Sequence, residues 1–150
     1  MTTYVDTSVW LALLGREPGY EVLARWLAEA GALCCADWTQ VEMASGLGIK
    51  QRRGDIDATM QQAILAVFDD MLTQNVTAIA LMPADVRAAY DLCRDADNGL
   101  RAGDALHLAV ARRVGCRHFF SLDKTLNRNA VQAGMRLVEV LTEPTNIPPA

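Results

Sequence analysis

Apolar and polar positions follow two rhythms along this 150-residue chain. Short runs rich in β-branched and aromatic residues, "TTYVD", "LCCA", "VTAIAL", "RHFFSL" and "MRLVEV", read as strands. Between them lie longer segments with apolar residues recurring every three or four positions: "YEVLARWLAEAG", "DATMQQAILAVFDDML", "ADVRAAYDLCRDA" and "AGDALHLAVARRV". These read as helices, as do "TSVWLALL" after the first strand and the segment leaving "LCCA". Strands alternating with helices predict a parallel sheet, because each parallel crossover needs a long connection and a helix usually supplies it. The expected class is therefore α/β, a three-layer α/β/α sandwich around a small parallel sheet. No repeat, linker or compositional break divides the chain, so one domain is expected over residues 1–141, with "TEPTNIPPA", residues 142–150, as a loose tail.

That architecture makes a geometric prediction. In a parallel sheet all strands end at one edge, and the helices that return run antiparallel to them, so helix amino termini gather at the same edge. Asp6 follows "TYV" at the end of the first strand and Asp123 follows "HFFSL" at the end of a later one. Asp104 lies in the first turn of its helix, and Glu42 in the opening turns of the helix after "LCCA". Four carboxylates from distant parts of the chain are expected on one rim.

Each acid also has an ordinary explanation. Asp6, or Thr7 or Ser8 beside it, fits a helix cap. Asp104 suits the positive end of its helix, or a pair with His107 or Arg101. Asp123 fits a turn, paired with Lys124 or Arg128. Glu42 is harder to dismiss, because it shares a helix face with Trp38, Ser45 and Ile49, a face expected to look inward. Asp37 is the structural counterexample: "DWTQ" reads as a capping box with Gln40 reaching back.

Taken jointly, the four acids need a cation. Two carboxylates about 5 Å apart repel by roughly 3 kcal/mol at an effective dielectric near 20. Such a cluster takes up protons or gathers positive charge, and no Lys or Arg stands next to all four in sequence. A divalent metal is the economical counter-charge. His107 and His118 are too isolated in sequence for a zinc site, and oxygen ligands alone point to Mg²⁺ or Mn²⁺. Such ions act on phosphate esters, so phosphodiester hydrolysis is the suggested chemistry and nucleic acid the common polymer that carries the bond.

Composition narrows the setting. With 51% hydrophobic and 21% charged residues the chain has the balance of a soluble globule, and its net charge of −4 gives no global attraction to nucleic acid or anionic membranes. No apolar run reaches the ~18 residues that span a bilayer, and "MTTYVDTSVW" lacks the layout of a signal peptide, so a cytoplasmic location without membrane association is expected. Cys34, Cys35, Cys93 and Cys116 form no CxxC pair or disulfide scaffold. They are read as reduced, with Cys34, Cys35 and Cys116 as small core residues.

The motifs "YVDTSVWLAL", "WTQVEMASGL", "LRAGDALHLAVA" and "FFSLDKTLNRNAVQAG" run from the first strand to the last. With them the chain resembles the PIN domain, a Mg²⁺-dependent nuclease fold, and within it the VapC-type toxins of bacterial toxin–antitoxin pairs. The resemblance makes Asp6, Glu42, Asp104 and Asp123 the acidic quartet. Asp6, Asp104 and Asp123 would bind Mg²⁺, with Mn²⁺ as a substitute, and Glu42 would help to position metal and water. Thr7, Ser8 and Ser121 match polar positions that order such a site. The resemblance further implies a PIN-like parallel sheet, an RNA substrate, an antitoxin that covers the site, and a homodimer.

Other readings stay open. Phosphotransfer domains of the haloacid-dehalogenase or response-regulator kind also place an aspartate after the first strand, but the former want a second one where this chain has Ser8. A non-catalytic binding module is disfavoured by the complete set of acids. An RNA-processing or repair nuclease without an antitoxin is a further alternative; the short chain with no added domain favours the toxin, and a neighbouring gene would discriminate the two. Of the basic residues, "KQRRGD" reads as a solvated helix face, Arg112 and Arg113 form a second cluster, and Arg101, Lys124 and Arg128 flank the predicted rim as candidates for RNA phosphates. The amphipathic stripe Met60, Ile64, Val67, Phe68, Met71 and Leu72 faces either the core or, with "YEVLARWLAEAG", a groove for an antitoxin helix.

Overall fold

The computed structural model describes residues 2–140; the expected tail, 142–150, lies outside them. Five strands, β1 (Thr3–Val5), β2 (Leu33–Ala36), β3 (Val76–Ile79), β4 (His118–Phe120) and β5 (Arg136–Leu137), form one sheet in the order β3-β2-β1-β4-β5. Every pairing is parallel, so the first strand of the chain lies at the centre. The helices are α1 (Thr7–Leu14), α2 (Tyr20–Glu29), α3 (Trp38–Arg53), α4 (Ala58–Gln74), α5 (Pro83–Arg94), α6 (Ala102–Arg113) and α7 (Lys124–Gln132). All five expected strands are present, and the expected α/β class with its parallel sheet is the one found.

Successive residues of a strand point to opposite faces of the sheet, and the two cores divide accordingly. Val5, Cys35 and Phe120 join Val9, Trp10, Met43, Leu47, Ile64 and Phe68 of α1, α3 and α4 on one face. Tyr4, Cys34 and Phe119 join Leu108, Val110 and Leu126 of α6 and α7 on the other. Adjacent Cys34 and Cys35 are thus buried in different cores, both as free thiols, as is Cys116. Helix α6 lies between the sheet and α5, which packs on it through Ala89, Ala105 and Ala109. Being covered on both sides explains why its sequence is apolar all round.

Three aspartates start helices from the sheet edge or its loops. Asp6 caps α1, Asp57 accepts from Met60 N at 2.8 Å to start α4, and Asp123 accepts from Leu126 N at 2.8 Å to start α7. The "DWTQ" capping box is not formed. Asp37 already has helical backbone angles (φ −60°, ψ −27°), its side chain caps nothing in α3, and its Oδ1 accepts from Leu81 N at 3.1 Å. It remains structural, tying β2 to the loop after β3. At the far end of α6, Arg113 donates from Nε to Asp85 Oδ1 at 2.7 Å, and Asp85 also accepts from Met82 N at 2.8 Å. Arg113 is therefore bound to α5 rather than free to meet a ligand. Among the described residues, no helix is long and apolar enough to cross a membrane.

Candidate active site

The carboxyl edge of the sheet carries the expected acids. Glu42, Asp104 and Asp123 line one pocket of about 410 Å³, together with Trp38, Val41, Ser45, Arg101 and Gly103. Asp6 lies beneath, buried, and is joined to the others by hydroxyls. Its Oδ2 accepts from Ser8 Oγ at 2.6 Å and from Ser121 Oγ at 2.9 Å, and the Ser121 oxygen in turn accepts from Asp123 N at 3.0 Å. One serine on the β4 edge therefore fixes two acids that are far apart in sequence. Ser8 Oγ also accepts from Leu122 N at 3.0 Å. Thr7 Oγ donates to Glu42 Oε1 at 2.8 Å. All three hydroxyl residues expected to order the site bond to its acids.

The capping and clustering readings of Asp6 and Asp123 hold together, because a helix start at the strand edge is what brings each carboxylate there. Asp104 stands in the first turn of α6. Arg128 does not pair with Asp123; its Nη2 donates to Asn98 O at 2.9 Å and pins the loop before α6. The face of α3 bearing Glu42 is not inward throughout. Ser45 is exposed and Ile49 is 40% exposed, while Thr39, Met43 and Leu47 face the core. Glu42 stands at the boundary, where a carboxylate can meet both protein donors and solvent.

Asp104 bears the mark of the neighbouring acids. Burial, and then the charges of Asp6 and Asp123, raise the Asp104 carboxyl above its ordinary range. Burial also pushes Glu42 upward, but the hydrogen bond and charge of His107 and the Thr7 hydroxyl outweigh it and hold the carboxyl below its usual value. His107, with no exposed surface, stands at the junction: Nε2 bonds Glu42 Oε1 and lies 3.5 Å from Asp6 Oδ1, while Nδ1 is 2.8 Å from the Tyr4 hydroxyl. Burial opposes charge on the imidazole, and Glu42 and Asp6, with Asp104 further off, overcome this and raise its basicity. Sequence reasoning considered His107 only as a zinc ligand or a partner for Asp104. The available signal was a lone polar residue one turn after Asp104 in a helix otherwise apolar on every face.

Gly103 is the second feature that the sequence did not mark. A Cβ built there would stand 2.9 Å from Glu42 Oε2 and 3.4 Å from Trp38 Nε1. Glycine lets α3 and α6 approach closely enough for Glu42 and Asp104 to share a pocket. The donor set is entirely oxygen and mutually repelling, as a hard divalent cation requires. Among the described residues, no three His, Cys, Asp or Glu side chains form a ready ligand shell. The fit to such an ion is one of chemistry and charge rather than preset coordination.

The PIN domain family model matches residues 3–132. Among solved structures, the chain is similar to Mycobacterium tuberculosis VapC20, a Sarcin-Ricin loop cleaving toxin, with a TM-score of 0.69 and 20% identity over 85% of this chain and 94% of that one. It is similar to FitAcB from Neisseria gonorrhoeae, with a TM-score of 0.64 and 14% identity over 91% and 96% of the two chains. A toxin-antitoxin complex from Klebsiella pneumoniae aligns with a TM-score of 0.61 and 14% identity, again over 91% and 96%. At these identities the likeness is one of fold. No curated protein matches the sequence.

Proposed function

The chain belongs to the PIN domain family, and on that premise we propose that it is a Mg²⁺-dependent endoribonuclease, the toxin of a toxin–antitoxin pair. The observation that carries this reading is the rim itself, where Glu42, Asp104 and Asp123 line one pocket and buried Asp6 lies beneath them. Asp6, Asp104 and Asp123 would hold the ion, and Mn²⁺ suits the same oxygens. When bound, such an ion polarises a phosphoryl oxygen and makes water nucleophilic near neutral pH. Ser8 and Ser121 hold Asp6 in place, and Ser121 sets the backbone of Asp123. Glu42, kept ionised by His107 and Thr7, orients the attacking water with the oxygen those residues leave free. Arg101 on the pocket wall and exposed Lys124 would contact phosphates of the substrate.

RNA as substrate is supported by the family and by the similarity to the M. tuberculosis Sarcin-Ricin loop cleaving toxin. A protein partner is supported by a second feature. Helices α1, α2 and α4 enclose a groove of about 810 Å³ whose apolar wall includes Leu13, Leu14, Leu27, Ile64 and Met71. The α4 stripe divides between the two roles weighed for it: Ile64 and Phe68 are buried, whereas Met60 and Val67 are 52% and 48% exposed and line the groove. An amphipathic antitoxin helix fits such a surface, and this favours the toxin over a nuclease acting alone. The proposal includes a homodimer, for which Val86 and Tyr90 of α5, with Met82 just before it, offer an exposed stripe, and a cytoplasmic site of action. The test is to map new RNA 5′ ends and growth in cells expressing wild type or Asp6→Asn. Arrest with discrete ends only in the wild type supports the reading; the same ends from Asp6→Asn overturn it.

A further inference from the structure

The buried polar chain beneath the rim is oriented from its Glu42 end, because an ionised carboxylate oxygen only accepts and the His107 Nε2 that bonds it must therefore carry a hydrogen. The Tyr4 hydroxyl oxygen accepts from Ala36 N at 3.1 Å. Its own hydrogen is then available to His107 Nδ1, 2.8 Å away. With Nδ1 serving as acceptor, the hydrogen of a neutral imidazole resides on Nε2, and a charged imidazole carries one there as well. In either state Nε2–H faces Glu42 Oε1, which also receives the Thr7 hydroxyl. The ring itself is held edge-on by Tyr4, with centroids 5.9 Å apart at 70°, and Tyr4 is stacked on Phe119 at 5.3 Å.

We propose that His107 is a positioning residue: fixed by the Tyr4 hydroxyl and ring, it donates Nε2–H to Glu42 and so sets the place and orientation of that carboxylate at the rim. This rests on the nuclease reading and adds to it a role for two residues, Tyr4 and His107, that touch neither pocket nor substrate. The need is geometric. A glutamate has three rotatable bonds before its carboxylate, and in a pocket open to solvent it would occupy many rotamers. Two donors on Oε1 remove that freedom and leave Oε2 beside Gly103. The chain of contacts runs from the β2 backbone through Tyr4 of β1 and His107 of α6 to Glu42 of α3. It therefore transmits the register of the central sheet to the site. His107 has no exposed surface and is not part of the pocket wall, so it neither meets substrate nor exchanges protons with it directly.

The experiment compares steady-state RNA cleavage by the full chain in Mg²⁺ for wild type, His107→Leu, His107→Gln, Tyr4→Phe and Glu42→Gln, with Asp104→Asn as control. His107→Leu should lower kcat by about 10- to 100-fold with KM nearly unchanged, as loss of an orienting hydrogen bond does. His107→Gln, which restores an amide donor near the Nε2 position, should recover most of that loss. In the Glu42→Gln background, His107→Leu should cost nothing further, since the residue it acts through is already disabled. A loss equal in both backgrounds, or one that follows melting temperature alone, overturns the inference. Nitrogen-15 spectra of histidine-labelled protein without metal give an independent reading. A hydrogen on His107 Nε2 is expected in wild type, and its absence overturns the assignment whatever the kinetics. Should His107→Leu fail to fold, Tyr4→Phe and His107→Gln carry the same comparison. Unchanged cleavage by Asp104→Asn would reject the nuclease site while leaving the spectral test of His107 in force.

Discussion

Replacing Gly103 with alanine should lower activity while leaving stability nearly unchanged. The new Cβ would sit 2.9 Å from Glu42 Oε2, about 0.5 Å short of ordinary contact. Glutamate is flexible and would usually swing aside, but here Oε1 is held by Thr7 and His107, and the new Cβ, also 3.4 Å from Trp38 Nε1, has little room to shift itself. The carboxylate must tilt or break one of its bonds. Displacements approaching 1 Å from productive geometry cost on the order of 100-fold in rate, or about 2.7 kcal/mol at 1.36 kcal/mol per decade. Meanwhile alanine in the first turn of α6 favours the helix by up to about 1 kcal/mol over glycine, which offsets the local crowding. The expected result is a melting temperature within a few degrees of wild type and a kcat/KM for Mg²⁺-dependent RNA cleavage lower by about two decades. Circular dichroism melts and a fluorogenic RNA substrate measure both. Full activity in a folded Gly103→Ala protein would show that the placement of Glu42 against α6 is irrelevant to the chemistry.

Without divalent metal, Asp104→Asn should be more stable than wild type at neutral pH, because burial and the charges of Asp6 and Asp123 make the ionised carboxylate costly in the fold. A carboxyl raised on folding destabilises above its folded value and ceases to do so as pH falls through that value towards the unfolded one. Melts in chelator across acid pH should therefore show the advantage of Asp104→Asn shrinking as pH drops, and an advantage that grows on acidification refutes the assignment. Asp85→Ala should cost about 1–3 kcal/mol in denaturant unfolding, through loss of a helix cap and of the Arg113 hydrogen bonds, with metal-dependent cleavage retained. Val67→Asp in the groove should leave cleavage and folding intact but abolish rescue of growth by a co-expressed antitoxin; retained rescue excludes that groove.

The layered fold and the acidic edge were legible because both follow from periodicity: strands end where the apolar run ends, and Asp6 and Asp123 stand at those ends. Helix α7 was harder to read. "KTLNRNAVQ" is largely polar and buries only Leu126, Asn129 and Ala130, so Asp123 resembled a turn residue. Asn129 is buried because its amide donates to Asn98 O and Thr125 O, a pairing invisible until the loop before α6 is in place. The capping box at Asp37 failed for a local reason, a backbone already helical one residue early, so that its carboxylate binds the β3–α5 loop instead. Tyr4 and His107 could not be matched from sequence because 103 residues separate them, and only the closed sheet makes them neighbours.

That separation has a consequence for timing. The central strand precedes the other four strands of the sheet in the chain, yet its flanking strand β4 and the serine that joins Asp6 to Asp123 come 115 residues later. At typical elongation rates the interval is on the order of ten seconds, during which Asp6 has no partner from β4 and the rim does not exist. Folding that depends on such distant contacts waits for nearly the whole domain. A chain interrupted before β4 would thus lack Ser121 and Asp123 and leave the rim incomplete, so activity would begin abruptly once β4 and the start of α7 are in place rather than build up as the polypeptide grows.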